Sequence, residues 1–222
     1  MSNDRSITEP NRIEEESFRI ITEEISAMGR SVPERFAPII KRVIHTTADF
    51  SYLDSLYFSE GILTQAHEVL RAGTDIVTDT NMAKAGIHKS SLEKLGGTIH
   101  CFMADADVAA RAKELGQTRA AVSMDKSAEL SQNLIYVIGN APTALFRLAE
   151  LHRQGKIRPA FVIGAPVGFV NVVEAKEELI ASGIPCIVTR GRKGGSNVAA
   201  AIMNALLYLT EVENGHSWRR NI

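Results

Sequence analysis

From about residue 76 onward the chain repeats one pattern, a short apolar run, then a loop, then a helical stretch. The apolar runs lie at Ile76–Thr78, Thr98–Met103, Leu134–Ile138, Ala160–Ile163 and Cys186–Thr189. The helical stretches between and after them fall near 89–95, 105–115, 120–132, 141–154, 171–182 and 197–210. The runs are continuously apolar rather than alternating, as in strands covered on both faces. Strands and helices alternating at this spacing predict an α/β fold with three α/β/α layers around a mostly parallel sheet. Ahead of this region, residues 12–28 carry a helical stripe of Ile13, Phe18, Ile20, Ile21, Ile25 and Met28. A second helix is expected from Pro33 to His45 or beyond, with Phe36, Ile39, Ile40, Val43 and Ile44 inward, and a third over Leu63–Arg71, ended by Gly73. At 222 residues the chain suits one domain over 1–222, with the polar segment 1–10 and the tail 213–222 outside its ordered body.

Composition narrows the partners. A net charge of −1 and a pI near 6.6 give no reason to expect nucleic acid or an anionic membrane. No apolar run approaches the roughly 20 residues of a membrane span. Met1–Glu16 is polar and acidic, unlike a secretion signal or transit peptide, so a cytoplasmic protein is expected. Cys101 and Cys186 sit in apolar segments and read as buried, reduced thiols. Without a CxxC pair or an HExxH motif no zinc site is expected.

In an open parallel sheet, ligands bind beyond the carboxyl ends of the strands. The strand exits here are Asp79-Thr80-Asn81, Gly139-Asn140-Ala141-Pro142-Thr143, Gly164-Ala165-Pro166-Val167-Gly168-Phe169 and Arg190-Gly191-Arg192-Lys193-Gly194-Gly195-Ser196. All four are expected on one rim around one pocket. The last joins two glycines to a helix start, capped by Ser196 or Asn197, beside Arg190, Arg192 and Lys193. That composition suits an anion site, and equally a tight turn with solvated basic residues. It is not a Walker loop, and no GxGxxG follows a strand, so no nucleotide is expected. Asn140 and Pro142 also fit a plain helix start, with Asn140 as cap.

Arg42, His45 and Asp49 follow i, i+3, i+7 spacing and share a face if the second helix continues. A lone histidine is more often packed or solvated than catalytic, and His67, His88, His100, His152 and His216 have no better local argument. His88 and His152 read as surface helix residues. Ser17 lies on the Ile13–Ile20–Ile21 face of the first helix. It is either a small packing residue or a hydroxyl aimed at a ligand from an apolar wall.

Six stretches, in order along nearly the whole chain, resemble the precorrin-8X methylmutase family, including its cobalt-precorrin-8 form. They are Ser17–Ile21, Arg42–Asp49, Thr78–Met82 with Ala85-Gly86-Ile87, Ile138–Phe146, Gly164–Val170 and Gly191–Ser196. GNAPTALF and PVGFV together are the specific part. The resemblance implies a homodimeric α/β/α isomerase. It would move a methyl group from C-11 to C-12 of a tetrapyrrole in cobalamin biosynthesis, giving hydrogenobyrinate or cobyrinate. It places the family's catalytic histidine on His45 and its substrate contacts on Ser17 and Arg42. Further contacts are expected from Thr80, Arg119, Asn140 and the loop residues Arg190, Arg192, Lys193 and Ser196. Where the family commonly has Glu-Ser-Lys, this chain has Glu174-Ala175-Lys176.

The implied 1,5-shift is redox-neutral and needs no methyl donor, so no cofactor is expected, with cobalt present only as part of the substrate. The enzyme's task is then to protonate a conjugated system and hold its geometry, which an imidazole suits near neutral pH. A ligand ringed with carboxylates calls for arginines, a lysine and a helix N-terminus. Two other classes compete. One is a non-catalytic tetrapyrrole carrier, which would be indifferent to His45. The other is a nucleotide-dependent oxidoreductase, against which the missing glycine fingerprint counts.

Overall fold

The computed structural model describes residues 10–131 and 133–213. Most of the 1–10 segment and of the 213–222 tail, with His216, lies outside them.

Helix α1 (Pro10–Ala27) leads into a 3-10 turn (Glu34–Phe36), α2 (Ala37–Thr47) and α3 (Tyr52–Ser55). Strand β1 (Leu56–Phe58) and α4 (Ile62–Arg71) follow, then β2 (Ile76–Thr78), α5 (Asn81–Gly86), α6 (Lys89–Lys94) and β3 (Ile99–His100). The remainder is α7 (Ala106–Leu115), α8 (Arg119–Ser127), β4 (Ile135–Ile138), α9 (Pro142–Arg153), β5 (Phe161–Gly164), α10 (Val172–Ala181), β6 (Cys186–Thr189) and α11 (Ser196–Glu213).

The six strands form one sheet in the order β1-β6-β5-β4-β2-β3. Strands β2 to β6 are parallel, and only β1 runs antiparallel, against β6. The central strands are buried on both faces, and successive side chains serve opposite cores. Ile135, Val137, Phe161, Ile163 and Ile187 join the core under α1, α2, α4 and α11. Tyr136, Ile138, Val162, Cys186 and Val188 join the core under α8, α9 and α10. The three-layer, mostly parallel expectation therefore holds.

Several details differ from the sequence reading. Strand β1 was not expected; it is a three-residue, half-buried edge strand too short to show a period. Strand β3 shrinks to Ile99–His100, because only β2 lies beside it. Half of the first helix's stripe does not face the core: Phe18, Ile21 and Ile25 are buried, while Ile13, Ile20 and Met28 are exposed. Helix α1 packs chiefly on α2, so a narrow seam of it is covered. Cys186 is buried, whereas Cys101, at the end of the edge strand, is only half-buried; both thiols are free.

The chain order reverses at β2: β3 lies on one side of it and β4 on the other. A crevice opens at such a switch point beyond the carboxyl ends of the strands. The loops after β2 and β4 flank it.

Candidate active site and its anion-binding rim

Helix α2 ends at Thr47, where Ala48 adopts a left-handed conformation with its N–H bonded to the Ile44 carbonyl. His45 therefore sits in the last turn. Its Nδ1 lies 2.7 Å from the Ser17 hydroxyl, and its ring stacks on Phe18 with centroids 5.4 Å apart. If the hydroxyl donates to Nδ1, the neutral ring carries its proton on Nε2. When the ring is charged, Ser17 accepts from Nδ1–H instead. In both arrangements Nε2 carries a proton and is not the nitrogen that Ser17 engages.

Arg42, one turn back, is nearly buried, at 8% exposure. Its guanidinium lies between two rings, 5.1 Å from the Phe18 centroid and 4.9 Å from that of Tyr208 on α11. Glu14 of α1 stands 2.9 Å from Nη2, an ion pair by distance. Yet neither Nε nor Nη2 makes a geometrically sound hydrogen bond within the described residues. Buried donors left unmade are costly, and two guanidinium N–H groups are what a carboxylate takes up.

Burial, and then the charge of Arg42, hold the His45 pKa below the ordinary imidazole value, with Glu14 pulling the other way. The free enzyme's imidazolium thus forms at a pH below the ordinary histidine value. If His45 is the essential acid, kcat/KM rises as pH drops through a value under about 6.5, and Glu14→Gln moves that limb to lower pH. A kcat/KM limb above the ordinary histidine value contradicts this. Ligand carboxylates favour the charged ring, so the kcat limb should lie at higher pH than the kcat/KM limb.

Asp49 does not share the Arg42–His45 face, because the left-handed Ala48 turns the chain away. Its carboxylate instead accepts from Lys193 Nζ at 2.6 Å, and Ser51 Oγ is 2.9 Å from the same Nζ. This pair pushes the Asp49 carboxyl down to about 2 and ties the loop after β6 to the end of α2.

The four loops meet as expected. Asp79, fully buried, accepts from the backbone N–H groups of Gly139, Asn140 and Ala141 at 2.9, 2.8 and 2.7 Å. Burial raises its pKa, and these amides pull it back. Asn140 is therefore not the cap of α9. Ala141 holds the cap position without a side-chain bond, and the buried aspartate instead binds the three amides that lead into the helix. The exposed Asn140 side chain is left on the rim. A Cβ on Gly139 would come 2.5 Å from Ser196 Cα, and one on Gly194 would come 2.2 Å from the Ala165 carbonyl oxygen. Both glycines are required for the loops to touch. Ser196 starts α11, and its hydroxyl meets Thr80 Oγ1 at 2.8 Å, so it bridges to the loop after β2. Thr80 itself caps α5 through Ala83 N–H.

The basic residues are placed unequally. Arg190 pairs with Glu177 and lies over Tyr57, and Arg192 lies over the ring of Phe169. Arg119 is exposed in the first turn of α8, brought to the rim because Thr118 meets Thr143 of α9 at 2.8 Å. His88 is no surface helix residue. It is half-buried, with Nδ1 2.6 Å from the Ser91 hydroxyl and its ring edge-on to Tyr208. It lines a groove of about 690 Å³ with Asn81, Lys84, Lys89, Asn204 and Tyr208. Through Tyr208 this groove adjoins Arg42.

Glu14, Asp79, Lys84, Lys89 and Tyr208 were not singled out from the sequence. Only Asp79 had a visible signal, as the first residue past a buried strand. Ala175, where the resemblance expects serine, is buried in the apolar core under α9 and α10. Among the described residues, no three His, Cys, Asp or Glu side chains gather to hold a metal, and no helix is long and apolar enough to cross a membrane.

A mostly parallel sheet with a switch-point crevice, a serine-held imidazole, a buried arginine and a basic loop beyond the strand ends is an arrangement that suits an α/β enzyme. A model of the precorrin-8X methylmutase family matches residues 12–209, and the chain belongs to that family. It is 47% identical over 208 residues to the cobalt-precorrin-8 methylmutase of Salmonella typhimurium, covering 91% of this chain and 96% of that one. It is 40% identical over 202 residues to the precorrin-8X methylmutase of Pseudomonas aeruginosa, covering 90% and 96%. The crystal structure of precorrin-8x methyl mutase from Thermus thermophilus superposes with a TM-score of 0.81 at 39% identity, covering 92% and 99%.

Proposed function

We propose that this chain is an isomerase of corrin biosynthesis that moves the C-11 methyl group of precorrin-8X or cobalt-precorrin-8 to C-12. The observation that carries this reading is the juxtaposition of the Ser17–His45 pair with a buried Arg42 that pairs with Glu14 yet makes no well-aligned hydrogen bond from Nε or Nη2. Arg42 receives a peripheral carboxylate of the macrocycle, and His45 Nε2 gives a proton to the conjugated system. The methyl group migrates, the proton returns to His45, and the reaction balances as an isomerisation with no cofactor. The rim residues Thr80, Arg119, Asn140, Arg190, Arg192, Lys193 and Ser196 hold the remaining carboxylates and ring edge. Cobalt, when present, belongs to the substrate. The groove beside Tyr208, with Lys84 and Lys89 at its wall, has the size of a small-molecule site.

The test is a visible-absorption titration with hydrogenobyrinic acid, beside an assay of precorrin-8X conversion and an NADH control. Saturable spectral change with turnover supports the reading. Binding without turnover favours a tetrapyrrole carrier, and an NADH response favours an oxidoreductase.

Arg42→Ala is expected to weaken binding about 10- to 100-fold, the scale of charge-assisted hydrogen bonds, with a smaller effect on kcat. A large fall in kcat at unchanged affinity would assign Arg42 to the transition state instead.

The protein acts as a cytoplasmic homodimer in this reading. The rim carries exposed Val167, Phe169 and Val170, with Phe169 84% exposed, an apolar face of the kind a second subunit covers. The free thiols suit a reducing compartment. Sedimentation equilibrium distinguishes dimer from monomer.

A further inference from the structure

One buried cation takes no part in the chemistry above. Lys176 of α10 is 0% exposed. Its Nζ donates to the carbonyls of Gly191 at 2.7 Å and Lys193 at 2.9 Å, in the loop between β6 and α11. No carboxylate among the described residues bonds to it. Glu177 of the same helix turns to Arg190, Glu178 pairs with Arg153 of α9, and Glu174 is exposed. In the loop, Lys193 is taken by Asp49 and Arg192 lies over Phe169. From the sheet, Tyr57 lies under Arg190, and burial pushes the Cys186 thiol up to about 12. A buried ammonium held only by neutral carbonyls is costly unless its charge is used.

We propose that Lys176 is a positioning residue of the substrate site: its ammonium fixes the Gly191 and Lys193 carbonyls beneath the 190–196 loop and supplies the loop with positive charge for a corrin carboxylate. This rests on the corrin reading of the same rim. By linkage, a bound carboxylate and a protonated Lys176 favour each other equally.

Burial lowers the Lys176 pKa from 10.5 to about 8. A neutral amine still has two N–H groups for the two carbonyls, so deprotonation removes the charge and leaves the geometry. Affinity for an anionic ligand must then fall as pH rises through about 8. Folding stability moves the other way on this group's account, because between about 8 and 10.5 the unfolded chain binds more protons than the folded one. A purely structural peg does not separate the two signs.

The experiment titrates hydrogenobyrinic acid against the wild-type protein, Lys176→Arg and Lys176→Met from about pH 6.5 to about pH 9.5, with urea unfolding at each pH. The expected result is an affinity loss of about 5-fold or more across the break in the wild type. Stability should not fall in step. Lys176→Arg, which stays charged, should show no break. Lys176→Met, if it folds, should bind weakly at every pH. A flat wild-type curve, the same break in Lys176→Arg, or parallel losses of affinity and stability overturn the inference and leave the corrin reading standing. No binding at any pH overturns the corrin reading and this inference with it.

Discussion

His45→Ala is expected to lower turnover by about 10²- to 10⁴-fold, the usual contribution of a general acid or base, while hydrogenobyrinic acid still binds. The reason is local. The imidazole is held by Ser17 on Nδ1 and by Phe18 against its face, so Nε2 is the only ring nitrogen that can reach a ligand. Removing the ring deletes the proton donor and leaves Arg42 and the rim in place. Ser17→Ala should cost less, because it removes the orienting bond and leaves the acid. Single-turnover absorbance measurements with folded variants check both. Near-wild-type turnover in His45→Ala would remove the histidine from the mechanism.

Asp79→Ala should cost about 3 kcal/mol or more of folding stability and most of the activity. A buried polar group left without its partner costs about 1–3 kcal/mol, and this substitution strands three amides in one turn. The lost stability is concentrated where the β4–α9 loop meets the start of α11. Asp79→Asn should fall between alanine and wild type: its oxygen can still serve the two amides on Oδ2, while its NH₂ group faces the Gly139 N–H. Urea unfolding gives the magnitude. Wild-type stability in Asp79→Ala would mean that the loop finds other acceptors and that the aspartate is not its organiser.

The strand–helix alternation after residue 76 was legible because it depends on local pattern: runs such as Ile135-Tyr136-Val137-Ile138 are apolar on both faces and so are central strands. The antiparallel β1 was not legible, since a three-residue edge strand is defined by its neighbour β6. The cap of α9 was misread for a related reason. Asn140 has the right chemistry, but a buried carboxylate sixty-one residues earlier in the chain binds the backbone of this turn, and the helix starts one residue later with Ala141 at the cap position. The same holds for Asp49, which i, i+7 spacing grouped with His45 until one left-handed residue sent it to Lys193.

Sequence by itself determined the sheet's class, the shared rim of the four loops, the family, and the residues around which its chemistry is proposed. These follow from periodicity, from glycine-dependent loops and from motifs whose residue types are tied to a reaction. Only the tertiary structure decided how the charges are spent. Lys193 and Arg190 are largely neutralised by carboxylates, Lys176 is not, and Arg42 pairs with Glu14 while Nε and Nη2 make no well-aligned hydrogen bond. Chain order carries no distances between groups far apart in sequence. Pairing and burial, which set the energy of a charge, depend on those distances.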